Sequence, residues 1–100
     1  MYVSGTTAFL PDGSLVGLDD PYRQTVQVLD NIDRALGAIG SSRASIVRLR
    51  IFVTDAKRVS EVTRALGERF VPIRPAMTLV VVPALLEPAM MVEIEADAED

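Results

Sequence analysis

Apolar and polar residues alternate along this chain with two different periods, and the places where the period changes mark its elements. Residues 2 to 9 alternate in part, with Val, Thr and Phe among them, and Pro11-Asp12-Gly13 follows as a turn. Leu15-Val16 then predicts a short returning strand. Asp19-Asp20-Pro21 has the form of a helix N-cap followed by proline at the first helical position. Tyr22, Val26, Leu29, Leu36 and Ile39 recur at spacings of three, four and seven, and Gly40 supplies the stop. After a polar linker over 41–45 the period drops to two: Val47, Leu49, Ile51 and Val53 share one face of a strand, and Arg48, Arg50 and Phe52 the other. Asp55 is placed to cap a second helix with Val59, Val62, Leu66 and Phe70 as its apolar stripe, ended by Pro72 and Pro75. Residues 77–82 are apolar on both faces, whereas 91–96 alternate Val92, Ile94 and Ala96 against Met91, Glu93 and Glu95.

The order strand, strand, helix, strand, helix, strand, strand predicts an α+β fold, a mixed β-sheet with two helices packed on one face, in a single domain over 1–100. Two helices cover only one side of the sheet. The other side is expected to carry Phe52, Met77, Leu79, Val81 and Met91 beside Arg48, Arg50, Glu93 and Glu95, too apolar for water and too charged for a dry core. Apolar residues make up 49% of the chain, at a mean hydropathy of +0.28, which adds to the case that this face meets other copies in a symmetric oligomer.

Composition narrows the chemistry. A formal charge of −4 with scattered basic residues argues against a nucleic-acid partner, which needs clustered Lys and Arg. The chain has no cysteine and no histidine, so thiol nucleophiles, thiolate or imidazole metal sites and the commonest general base are excluded, and no metal or cofactor is expected. Chemistry is left to Glu, Asp, Arg, Tyr, Ser, Thr, backbone groups and water. No membrane span or signal segment is evident; the longest apolar run, 79–86, is broken by Pro83, and a cytoplasmic protein is expected.

Five segments carry a resemblance that spans nearly the whole chain: VSGTTAF (3–9), QVLDNIDRALGAIG (27–40), IVRLRIFVTD (46–55), RPAM (74–77) before the strand TLVVV, and VEIEA (92–96). Together they resemble the Rid/YjgF family of small trimeric imine and enamine deaminases. The resemblance implies the RidA-like, chorismate-mutase-like fold, a homotrimer and active clefts between subunits. In that family the residue after Pro-Ala is an arginine that grips the substrate carboxylate, the first glutamate of the last strand positions the attacking water, and a serine near the first strand helps line the pocket. By position these become Met77, Glu93 and Ser4 beside Gly5. A family asparagine in the second helix falls on Thr63, and a tyrosine before the first strand has no counterpart.

Met77 departs from the pattern where it matters most. An arginine presents a charged fork that pairs bidentately with a carboxylate, and a thioether presents neither charge nor donor. With Leu79 and Val81 it suggests a greasier pocket for a larger or less anionic ligand. Two readings follow. In one, the protein binds a small imine, enamine or carbonyl metabolite with ordinary 2-imino acid deamination weakened or lost; in the other it remains an imine hydrolase, with Glu93 holding the water and Arg50 supplying the missing cation. Glu93, Glu95 and Arg50 also admit a purely structural role as ion pairs between subunits.

Overall fold

Alternation decides the layering. The computed structural model describes residues 1–100 and contains strands β1 (Tyr2–Thr6), β2 (Ile46–Val53), β3 (Ala76–Val81) and β4 (Val92–Ala98), with helices α1 (Pro21–Ala38) and α2 (Val59–Phe70). The sheet runs β1-β4-β2-β3; β4 is antiparallel to both neighbours and β3 is parallel to β2, so the sheet is mixed. Val92, Ile94, Ala96 and Ala98 are buried in one cluster with Leu49, Ile51 and Val53 of β2 and the inner faces of both helices. The opposite face of the sheet carries no element of the chain. No helix is long and apolar enough to cross a membrane.

The helix signals act as expected. Asp20 accepts from the Arg23 amide at 3.0 Å, Pro21 opens α1, and Gly40 at φ 78° closes it while the Ser41 amide donates back to the Leu36 carbonyl at 2.9 Å. The buried stripe is Val28, Leu29, Ile32 and Leu36, so of the predicted positions only Leu29 and Leu36 lie in it, and Val26 is half-buried beside it. Ile39 falls in the cap, past the last turn, and is exposed. Tyr22 turns outward, donating to Glu68 at 2.5 Å beneath the Arg64 guanidinium, and that bond to a carboxylate raises the phenol pKa. Asp55 caps a single 3₁₀ turn, Ala56–Arg58, that leads into α2, accepting from the Lys57 amide at 3.0 Å. Arg69 of α2 reaches Asp30 at 2.7 Å and Asp33 at 3.4 Å on α1, a surface clamp between the helices.

Three expectations are corrected. The strand proposed at Leu15-Val16 is a single bridge between Phe9 and Leu15. Val47 is exposed rather than buried, because a register shift against β4 between Ile46 and Arg48 lets Ile46 and Leu49 both point inward. The third correction bears on function. In a parallel pair, partnered residues share a face, and Met77, Leu79 and Val81 partner Leu49, Ile51 and Val53. They therefore lie on the helix side of the sheet, at an edge the helices barely reach: Leu79 packs against the core, while Met77 and Val81 remain 42% and 48% exposed. The open face receives Ala76, Thr78 and Val80 instead.

One buried polar side chain ties the loops around the sheet's end to α1. Gln24 is fully buried; its amide donates to the carbonyls of Gly17 at 3.1 Å and Ala89 at 2.9 Å, and its oxygen accepts from the Met91 amide at 2.9 Å. Two loops distant in sequence thus share one side chain. Gln24→Leu keeps the volume and orphans the Ala89 carbonyl and the Met91 amide, while the Gly17 carbonyl keeps the Asp20 amide, so chemical denaturation is expected to show a loss of roughly 2 to 5 kcal/mol. A loss below about 0.5 kcal/mol would mean that water replaces the amide at no cost.

Candidate functional site

The same alternation that buries Val92 and Ile94 sends Glu93, Glu95 and Asp97 to the open face. Beside them on β2 stand Arg48, Arg50 and Phe52, with Glu93 directly opposite Phe52 and Glu95 opposite Arg50. On the other flank, β1 pairs Val3 with Ala96 and Thr6 with Ile94, so two residues, Ser4 and Gly5, stand against Glu95 in a bulge. Gly5 is not among the glycines with positive φ, so its backbone does not require glycine. Space does. A Cβ built there would lie 3.0 Å from the Glu93 Cδ and 3.2 Å from its Oε2. The Glu93 side chain therefore rests on the flat backbone of Gly5.

The charges of this face are unevenly spent. Arg50 Nη1 lies 3.4 Å from Glu95 and 3.2 Å from Asp97, and Arg48 donates to the Thr78 hydroxyl at 2.7 Å. No hydrogen bond or ion pair within the chain takes up the Glu93 carboxylate, and its cross-strand neighbour is an aromatic ring. The three carboxylates do not converge into a set able to hold a metal ion.

One chain brings only part of the proposed set together. Glu93, Gly5 and Arg50 share the open face, with Ser4 exposed in the bulge beside them. Met77 and Leu79 are on the opposite side of the sheet, and Thr63 is exposed on α2, its hydroxyl donating to the Ser60 carbonyl at 3.2 Å. Arg50, proposed as a substitute cation, is already held between two carboxylates. Two neighbours lie outside the proposed site set, although the sequence already places Phe52 on this face. Phe52 faces Glu93, a pairing that strand periodicity cannot supply without the register, and Asp97 lies one residue past the predicted end of the last strand. A separate cavity of about 540 Å³ at the end of β2 is lined by Leu18, Asp19, Thr54, Asp55, Met90 and Met91 among others and includes none of the proposed site residues.

A mixed sheet with two helices on one side and an uncovered polar and aromatic face on the other defines a small α+β protein with one bare sheet face. The model of the family described as Endoribonuclease L-PSP matches residues 1–100. Rv2704 of Mycobacterium tuberculosis, described as a member of the YjgF/YER057c/UK114 family, is 42% identical and superposes with a TM-score of 0.85, over 97% of this chain and 75% of that one. YyfA of Yersinia pestis, described as belonging to the Rid protein family, is 39% identical with a TM-score of 0.89, over 97% and 77%. A Streptomyces coelicolor protein, SCO2049, is 35% identical over 96% of this chain and 71% of its own length. The chain belongs to the YjgF, or Rid, family.

Because Glu93 leans on Gly5, adding one methyl there acts on the end of a flexible side chain. Gly5→Ala is expected to change stability by no more than about 0.5 kcal/mol while moving the carboxylate. Three-bond couplings reporting the Glu93 χ1 and χ2 populations test this. Unchanged populations in a folded variant would show that the seat does not hold the side chain.

Proposed function

We propose that the protein is a Rid-type homotrimer that binds a small imine, enamine or carbonyl metabolite in clefts between subunits, with Glu93 orienting a water and with ordinary 2-imino acid deamination weakened at Met77. The observation that carries this reading is the Glu93 carboxylate, unpaired on the bare face of the sheet and seated on Gly5, while Arg50 occupies its neighbours Glu95 and Asp97. Membership of the Rid family supports it across the whole chain. The hundred residues act as one domain, in the cytoplasm.

The requirement for a second copy follows from the sheet. Glu93 faces one way and Met77 and Leu79 the other, so a cleft that contains both takes its glutamate from one copy and its β3 edge from the next. In such a cleft Glu93 takes a proton from water as the water oxygen adds to the carbon of the protonated imine, and the C=N electron pair moves to nitrogen. Glu93 returns its proton to that nitrogen, and the carbinolamine collapses to a carbonyl as its hydroxyl proton leaves with ammonia as ammonium. Ser4 and the Gly5 backbone form the wall beside it. A carboxylate substrate lacks its clamp at Met77, a loss of roughly 2 to 5 kcal/mol, or about tenfold to a few thousandfold in affinity. Cleavage of RNA, which the family description names, is not adopted: two arginines against three carboxylates give this face the wrong charge for a phosphate backbone.

Light scattering at micromolar concentration is expected to give the mass of a trimer, and a monomer would remove the cleft. With 2-iminobutanoate generated by an amino-acid oxidase and the residual imine trapped with semicarbazide, decay should run little above its spontaneous rate. Met77→Arg should then raise the rate by roughly tenfold or more. A folded trimeric variant that gains neither turnover nor carboxylate binding would show that the cleft departs from the family at more than this residue.

A further inference from the structure

We infer that the ligand recognised at Glu93 carries a positive charge and no carboxylate: a protonated imine derived from a simple amine rather than from an amino acid. The inference rests on the functional reading above for its chemistry, and on the charge layout of the open face for its selectivity.

Three strands cross that face in register. At one end Arg48 lies opposite Asp97 and Arg50 opposite Glu95, and the Arg50 guanidinium is within 3.4 Å of Glu95 and 3.2 Å of Asp97. These four residues nearly cancel. At the other end the row reads Glu93, Phe52, Val80 from β4 across β2 to β3, with the Gly5 backbone on the far flank. The one charge in this half of the face is the Glu93 carboxylate, and it has no partner in the chain. The nearer arginine, Arg50, is two residues removed along the sheet, about 7 Å at a strand's rise per residue, and lies between Glu95 and Asp97; Arg48 is four residues removed, about 13 Å, beyond the Debye length at physiological salt.

A carboxylate beside an aromatic ring is a surface for a cation. An ammonium or iminium nitrogen can donate to Glu93 while its adjoining carbons lie on Phe52 and Val80, gaining from both the ion pair and the ring face. A ligand carboxylate placed there meets Glu93 at close range, and the nearest guanidinium, Arg50, is already offset by Glu95 and Asp97. At an effective dielectric near 20 and a separation of about 5 Å, that repulsion amounts to on the order of a hundredfold in affinity, less where solvent screens it. The reaction balances as R₂C=NH₂⁺ plus H₂O giving R₂C=O plus NH₄⁺, with the cationic carbon already activated for attack. The reaction class that supplies such a substrate is the two-electron oxidation of a primary amine to its imine by a separate enzyme.

Two probe pairs that differ only in the charged group test the inference on the assembled protein. The first pair, phenethylammonium and 3-phenylpropanoate, is titrated while the Gly5 and Glu93 amide resonances are followed by NMR. Phenethylammonium is expected to shift both and to bind at least about tenfold more tightly than the acid, with affinity falling as salt rises and dropping about tenfold or more in a folded Glu93→Gln variant. The second pair is the imine formed from phenethylamine by an amine oxidase and the 2-imino acid formed from phenylalanine by an amino-acid oxidase, each followed by semicarbazide trapping; only the first should be accelerated. Glu93-dependent ammonium binding without turnover of either imine supports the charge selectivity and sinks the hydrolytic reading. Tighter binding of the acid, binding of neither probe, or ammonium binding indifferent to both salt and Glu93→Gln overturns the inference.

Discussion

The burial of one side of β4 is the constraint on which the rest of this structure depends. Val92, Ile94, Ala96 and Ala98 lie under the helices in the same cluster as Leu49 and Ile51, and together they account for the centre of the core. A strand has only two sides. Once those four residues face inward, Glu93, Glu95 and Asp97 must face outward together, on a sheet that has no second layer of its own. The stability of the fold and the placement of the candidate site therefore have a common origin. A one-residue slip of β4 would bury three carboxylates and expose the core at once, so the register that holds Glu93 opposite Phe52 is strongly specified.

On that face the three carboxylates have different fates because of what stands opposite each. Glu95 and Asp97 share Arg50, while Glu93 looks across to Phe52 and sideways onto Gly5. The bulge in β1 puts both Ser4 and Gly5 against β4, and the absence of a side chain at Gly5 gives the Glu93 carboxylate its seat. The seat orients without neutralising. A carboxylate that is held in place but not paired is suited to grip a water or a cation, which is why it carries the functional reading here.

Much of this is legible in the amino-acid sequence, and the parts that are not share a cause. Asp20-Pro21 and Gly40 bracket α1 because a cap, a fixed φ and a positive φ are local demands that individual residues meet. The outward row on β4 was readable from strict alternation. In β3 every residue from Met77 to Val82 except Thr78 is aliphatic or a thioether, so alternation carries no phase, and only the pairing with β2 reveals that Met77 and Leu79 sit on the helix side. The bulge that expels Val47 and the fully buried Gln24 were invisible for a related reason: each is settled by a partner remote in sequence. The family resemblance pointed to Met77, Glu93 and Thr63 as one pocket, and a single chain separates them onto different surfaces.

The central claim is that Glu93 stays unpaired because it faces a cleft between copies, and a crystal structure of the assembled protein at neutral pH tests it most directly. The account predicts that the Glu93 carboxylate of one copy lines a water-filled cleft opposite the β3 edge of the next, with Met77 and Leu79 on the facing wall and no guanidinium within salt-bridge distance. An assembly in which Arg48 or another arginine of a neighbouring copy closes directly on Glu93 would make it an interface ion pair and contradict the functional assignment.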